Sequence, residues 1–520
     1  MDSSRQVADH PGAGWRSLID PVTLSDDGGV PSVGSLVGGA ALPAAKPSEP
    51  RVSPATGLPL WRGCDAGAEA VAPAVAAARA AFDDGPWGRA TGRDRARVLF
   101  GAATLLQRRA EEMAALLVLE TGKPLREARG EVAATVNALE FFAGLARDVG
   151  GRSTRDIDGG LLALTLREPA GTAGLVVPWN FPLAILGQKL APALAAGCAV
   201  VIKPSPLTPL SSLALGALLV EAGLDPGALS VVVAEGAAGA ELVAHEDVDV
   251  VSFTGSTATG RRIAASAGDR RLKRVALEAG GKTPVLVTER ADLDRVLDGL
   301  TFAAFFNQGQ VCVAGSRVLV AARLADEVAE GLAERAARIA LGDPFAAGTE
   351  MGPLISRAHL AGVERAVGEA VADGARVLTG ARAATPEGTP AGPFWSPTVL
   401  WCPDDANVAV REELFGPVTV VQPVADTEEA VRRANASRYG LAASVWTEDL
   451  TEALTLTRRL RTGTVWVNGG VDAHPELPLG GRRDSGYGAE FGREGMHFFT
   501  ETKTAQIRLD RATPWYGGNA

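Results

Sequence analysis

Five short apolar runs dominate the middle of the chain: "TAGLVVPW", "CAVVIKP", "ALSVVVA", "VDVVSFTG" and "RVALEAGG". They are rich in β-branched residues and begin roughly 25 residues apart between positions 172 and 281. Helical stretches at 183–197, 207–223 and 257–268 fill the gaps. A strand that is apolar on both faces must be covered on both faces, and a parallel neighbour can be reached only by a long crossover. The pattern therefore predicts an α/β fold built on a doubly wound parallel sheet. A second α/β region follows from about 281, with "KTPVLV", "SRVLVAARLADEVAEGLAERAARIAL", "GARVLTG" and "PVTVVQPV". Before the strands, 70–148 reads as amphipathic and alanine-rich helix, with Gly122 and Pro124 as stop signals. The opening residues lack periodicity and are rich in Gly, Pro, Ser and Asp, so 1–30 are expected to be a mobile arm.

At 520 residues the chain is too long for one hydrophobic core. Its net charge of −10 argues against nucleic acid or an anionic membrane as partner. Four cysteines, at 64, 198, 312 and 402, form no CxxC pair, which points to a reducing compartment. Five histidines show no HxxxH spacing, so no metal is expected. Neither a secretory leader nor an uncharged apolar run of ~18 residues is visible, and a cytoplasmic location is expected.

Several strand ends carry reactive side chains. "VVPWNFPL" brackets Asn180 between prolines, where its amide can cap a turn or donate to a developing oxyanion. "VVIKPS" ends a strand on Lys203, either a solvated lysine or a cation at a ligand edge. "FTGSTATG" places Gly255, Ser256 and Gly260 between a strand and a helix, an ordinary turn or a pyrophosphate cradle. "ALEAGG" ends a strand on Glu278, costly to bury unless used or paired. "REELFGPV" adds Glu413 beside Phe415. "FFNQGQVCVAGSR" sets Cys312 on a loop of glycines and amides, as a small buried hydrophobe or as a nucleophile.

Taken in order, "PWNFP", "IKPS", "FTGSTATG", "LEAGGK", "NQGQVC", "EELFGPV" and "PLGGRRDSGYGAEFG" resemble the NAD(P)-dependent aldehyde dehydrogenase superfamily, from about residue 50 to about 508. The resemblance implies a dinucleotide-binding domain (31–149 and 171–280), a catalytic domain (281–484) and a small β oligomerisation flap (150–170 and 498–510). It implies that Cys312 is the nucleophile, Asn180 and the Cys312 N–H the oxyanion hole, and Glu278 the general base. Lys203, with Ser205 and Pro206 beside it, would face the adenosine ribose. Trp179, Gly255 and Ser256 would approach the pyrophosphate, Glu413 the nicotinamide ribose, and Phe415 the nicotinamide. Phe181, Ala184, Ile185, Gln188, Val311, Val313, Ala473 and Leu479 would line the substrate tunnel. This mostly small and apolar set suits a medium or bulky apolar aldehyde, and the neutral Gln188 disfavours a carboxylate-bearing one. A homodimer or homotetramer is implied.

Two departures stand out. NAD-preferring relatives tend to carry a glutamate three residues after the lysine; here it is Pro206, which leaves NAD and NADP both open. Ala279 stands in "LEAGG" where leucine is common, a change expected to affect packing only. An acylating enzyme that hands its thioester to coenzyme A is disfavoured by Glu278. A non-catalytic relative is disfavoured because Cys312, Asn180, Glu278, Lys203 and Glu413 are all present.

Overall fold

The computed structural model describes residues 13–27, 29–43, 46–155, 157, 160–389 and 392–509. Its first sheet is built on five parallel strands: β1 (Thr172–Val176), β2 (Ala199–Lys203), β3 (Leu229–Val231), β4 (Val250–Thr254) and β5 (Arg274–Glu278). Their order is β5-β4-β1-β2-β3. The chain therefore winds outward from β1 in one direction and then returns to β1's other edge for β4. The connections leaving the C-terminal ends of β1 and β4 run in opposite directions there, which opens the crevice where doubly wound sheets bind ligands. Short antiparallel strands close the edges, Ser35–Val37 and Ala40–Leu42 beyond β3, and Gly486–Tyr487 beyond β5.

The crossovers are α1 (Ala184–Ala196), α2 (Leu210–Glu221), α3 (Gly236–Ala244) and α4 (Thr257–Ser266). β2 and β3 are buried throughout, as their continuous apolar sequence requires. The helical stretch before the sheet divides into Val71–Asp83, Gly92–Arg108, Ala110–Thr121 and Leu125–Leu145. A capping box between Thr91 and Asp94 starts the second of these.

The second sheet has seven strands, in the order Arg376–Thr379, Thr398–Trp401, Val418–Val424, Arg317–Ala321, Pro284–Val287, Ala442–Trp446 and Thr464–Val467. All but the first pair run parallel. Helix α5 (Leu293–Phe305) leads into the Cys312 loop. A third, antiparallel sheet joins Arg152–Thr154, Leu161–Pro169 and Thr500–Arg508, with Leu161 opposite Arg508 and Pro169 opposite Thr500. No helix among the described residues is long and apolar enough to cross a membrane.

The expected mobile arm is corrected for Ala13–Val22. Two short 3-10 helices there bury Trp15, Leu18, Ile19 and Val22 in the first core. Truncating a buried tryptophan costs about 3–5 kcal/mol, so this segment is anchored by packing rather than by periodic secondary structure. Residues 1–12 lie outside the described residues.

Candidate active site

Three chain segments meet at the crevice. The first leaves β1 through Pro178 and brings Asn180 into the interior, 4% exposed. Its Nδ2 donates to the Gln310 carbonyl at 3.0 Å. Its own carbonyl oxygen accepts from Lys123 Nζ at 2.9 Å and from Asn307 Nδ2 at 3.1 Å. Lys123 is itself fully buried and ion-paired with Glu131, whose other oxygen accepts from the N–H groups of Leu183 and Ala184 at the start of α1. The Asn180 loop is thus fastened on both sides.

The second segment follows α5. Asn307 and Gln308 turn it sharply, with φ of 51° and 59°. The Gln310 amide oxygen then accepts from Ile355 N at 3.0 Å, and the loop presents Cys312 to the cavity. The third segment leaves β5 at Glu278. A Cβ on Gly281 would collide with the Cys312 carbonyl oxygen, and one on Gly280 with the Glu413 carboxylate. The paired glycines allow this close approach of three elements.

Electrostatics set the resting state. Burial, reinforced by the negative charges of Glu413, Glu278 and Glu490, pushes the Cys312 thiol up to about 12. Glu278 is 5% exposed. Burial, and then the neighbouring Glu490 carboxylate, raise it well above the ordinary carboxylate range; Lys189 and the Gly481 N–H (3.1 Å) act in the opposite direction. Its Oε1 is buried without a protein partner. Burial raises Glu413 to about 7, although the Gly281 N–H donates to it at 3.1 Å. Burial and the neighbouring carboxylates thus favour the neutral forms of both Cys312 and Glu278.

One cavity of about 1040 Å³ reaches Cys312 and Glu278. Phe181, Ala184, Ile185, Gln188, Val311, Val313, Ala473 and Leu479 all stand in its wall. The small and mostly apolar lining expected from the sequence is incomplete. Phe302, Phe305, Phe306 and Trp466 also face the cavity, and Phe306 lies between Phe181 and Phe302 with ring centroids 5.8 and 5.0 Å apart.

On the other side of the crevice, Lys203 ends β2 and is 6% exposed, which excludes a solvated surface lysine. Ser205 Oγ accepts from Leu207 N at 3.2 Å, with the half-buried Pro206 between them. Gly255 links β4 to α4, and Ser256 caps that helix by accepting from Thr259 N at 3.3 Å. The first turn of α4 thus opens toward the crevice with its N–H dipoles, a ready site for a diphosphate. Trp179 and Phe415 meet edge to face, centroids 5.3 Å apart. His359, kept neutral by burial, holds the Phe415 carbonyl at 2.7 Å. The helix terminus at Ser256, the buried cation at Lys203 and the glycines packed against Glu413 suit a dinucleotide.

The Aldehyde dehydrogenase family model matches residues 43–505. The chain belongs to the aldehyde dehydrogenase family. Its sequence is 41% identical over 444 residues to betaine aldehyde dehydrogenase of Bacillus subtilis, covering 84% of this chain and 90% of that protein. Its structure is similar to that of an NAD-dependent aldehyde dehydrogenase from Sinorhizobium meliloti, with a TM-score of 0.90, 38% identity, and coverage of 94% and 96%. It is also similar to betaine aldehyde dehydrogenase from Staphylococcus aureus in complex with NAD+, with a TM-score of 0.91, 32% identity, and coverage of 96% and 98%.

This aldehyde dehydrogenase also has site residues that sequence reasoning missed. Lys189, fully buried in α1, pairs with Glu490 and donates to Ser252 Oγ at 2.9 Å; Thr254 Oγ1 donates to Glu490 at 3.3 Å. A lysine inside the otherwise apolar "LAILGQKLAPALAAG" was the available signal, as was the acid within "PLGGRRDSGYGAEFG". Ala279 is buried, and its N–H donates to the Ser485 carbonyl at 2.9 Å.

Proposed function

We propose that this aldehyde dehydrogenase converts a medium or bulky apolar aldehyde to its carboxylic acid through a covalent intermediate on Cys312. NAD or NADP would serve as hydride acceptor. The observation that carries the reading is that Cys312 and Glu278 reach one cavity from separate elements, with Asn180 fastened to the Cys312 loop through the Gln310 carbonyl.

The cysteine sulfur attacks the aldehyde carbon as the thiol proton leaves. The carbonyl oxygen becomes an alkoxide, which accepts hydrogen bonds from Asn180 Nδ2 and the Cys312 backbone N–H. Each such donor contributes ~10²–10³ in rate. When bound, the nicotinamide supplies the electron sink that takes the hydride from this carbon. A thioester is left on Cys312. Glu278, once ionised, removes a proton from water as the water attacks the thioester carbonyl. The carboxylic acid departs and the thiolate regains a proton. The balance is aldehyde, oxidised cofactor and water giving carboxylate, reduced cofactor and two protons. Lys189, Glu490, Ser252 and Thr254 form a hydrogen-bonded cluster whose Glu490 and Lys189 charges act on Glu278 in opposite directions.

The cavity volume and the Phe181–Phe306–Phe302 wall support a bulky apolar substrate, since aromatic faces offer large contact area. Gln188 offers no charge to a substrate carboxylate, and the cations of the wall are Arg126, Arg335 and Arg338. We also propose that the antiparallel sheet of Leu161–Pro169 and Thr500–Arg508 packs against a second copy in a dimer or tetramer. Its half-exposed Leu166 and Ile507 support this.

The test is an aldehyde panel, aliphatic and aromatic, run with NAD and with NADP and read at the near-UV absorbance of the reduced cofactor. Turnover that Cys312→Ala abolishes is expected. Absence of turnover on every aldehyde with both cofactors overturns the reading, and a strict need for coenzyme A replaces hydrolysis with acyl transfer.

A further inference from the structure

We propose that Lys123 is a positioning residue for the oxyanion donor Asn180, and that its buried pair with Glu131 holds that donor rather than stabilising the fold. The inference rests on the part given to Asn180 in the reaction proposed above.

Lys123 lies in the short link between the helices Ala110–Thr121 and Leu125–Leu145, and Glu131 lies in the second of them. Both side chains are 0% exposed. Taking two charges out of water costs about as much as their attraction returns, and packed apolar residues would serve stability equally well. Where the pair directs its remaining hydrogen bonds is therefore informative. The Lys123 ammonium donates to the Asn180 carbonyl at 2.9 Å and stands 4.1 Å from the centre of the Phe181 ring. Glu131 accepts from Leu183 N at 2.9 Å and from Ala184 N at 3.1 Å. One ion pair thus grips Asn180, Phe181, Leu183 and Ala184.

Asn180 has little freedom left. Its carbonyl oxygen also accepts from Asn307 Nδ2 at 3.1 Å, and its own Nδ2 donates to the Gln310 carbonyl at 3.0 Å. An amide nitrogen carries two protons. Gln310 takes one, and the other is the donor that the alkoxide of the proposed reaction requires. Its direction follows from the plane of the Asn180 amide, which the backbone and Gln310 contacts fix together. Without Lys123 one backbone anchor is gone and the peptide after Asn180 can rotate. Oxyanion donors act by being preset, and a misplacement of about 1 Å can cost about a hundredfold in rate. Glu131 balances the charge of Lys123, so the effect of the lysine is on geometry rather than on the field.

The test is a double-mutant cycle on the intact protein, run with the aldehyde that gives the highest kcat. Lys123→Met with Glu131→Gln removes both charges together and leaves an acceptor for the Leu183 and Ala184 N–H groups. This pair variant should lower kcat about thirtyfold, with aldehyde KM and dinucleotide Kd within about twofold of wild type. Asn180→Ala should lower kcat about a hundredfold or more, and adding it to the pair variant should bring no further loss. Losses that multiply would place the pair's action elsewhere and overturn the inference. An unchanged kcat in the pair variant also overturns it and leaves Asn180 in its role. Full activity in Asn180→Ala overturns the oxyanion reading and the inference together. Should the pair variant not fold, Glu131→Gln alone enters the same cycle under the same criteria, with an expected loss of about threefold.

Discussion

The ammonium of Lys189 and the carboxylate of Glu490 form an ion pair in the interior beside Glu278, with the two side chains 0% and 5% exposed. A buried pair of this kind is weak evidence for stability, because desolvation offsets most of the attraction. Its field acts on Glu278, which Glu490 raises and Lys189 lowers. Glu490→Gln should therefore lower the Glu278 value and move the acid limb of the kcat–pH profile to lower pH. Lys189→Met should move that limb to higher pH. Profiles that shift in the same direction would remove the pair from control of Glu278.

Cys312 should react slowly with iodoacetamide at neutral pH, since its thiol sits near 12. Glu413 is the leading charged contributor to that value after burial. Glu413→Gln should therefore speed alkylation at pH 8, read by mass spectrometry of the Cys312 peptide. Unchanged alkylation would show that burial alone suppresses the thiolate.

Glu413 also links folding to pH. Its value is about 7 in the folded protein against 4.5 for the free side chain. A raised value means a contribution fully present below 4.5 and lost as pH rises through about 7. Glu413→Gln, neutral at every pH, should raise Tm relative to wild type more at pH 8 than at pH 5. An equal change at the two values would contradict this.

Val313 borders the cavity beside Cys312. Val313→Phe should cut kcat/KM for aromatic aldehydes by ten- to a hundredfold, since overfilling a packed site costs about 1–3 kcal/mol. Acetaldehyde should be nearly spared. Equal losses on both substrates would place Val313 outside the tunnel.

Much of this was legible in the sequence because the signals are local. The strand–helix alternation from 172 to 281 reports the sheet, since each β-branched run and each crossover is written in adjacent residues. The chemistry of Asn180, Glu278 and Cys312 was raised by their positions at strand ends and on a glycine-rich loop. What escaped depends on contacts across the chain. Lys189 and Glu490 lie 301 residues apart, and neither carries a local mark of its partner. Phe302 and Phe306 read as parts of a helix and its end, and only folding turns them toward Phe181. Trp15 and Ile19 lie in an aperiodic segment, and burial there follows from the shape of the core rather than from any repeat.

In the proposed reaction Glu278 activates the water that hydrolyses an acyl group carried by Cys312. The most direct test is rapid mixing of Glu278→Gln with NAD and a good aldehyde substrate. A burst of reduced cofactor close to one per active site is expected, followed by turnover slowed by at least about a hundredfold, with the acyl mass on the Cys312 peptide. Full steady-state turnover without a burst, or acyl mass on any other residue, would contradict it.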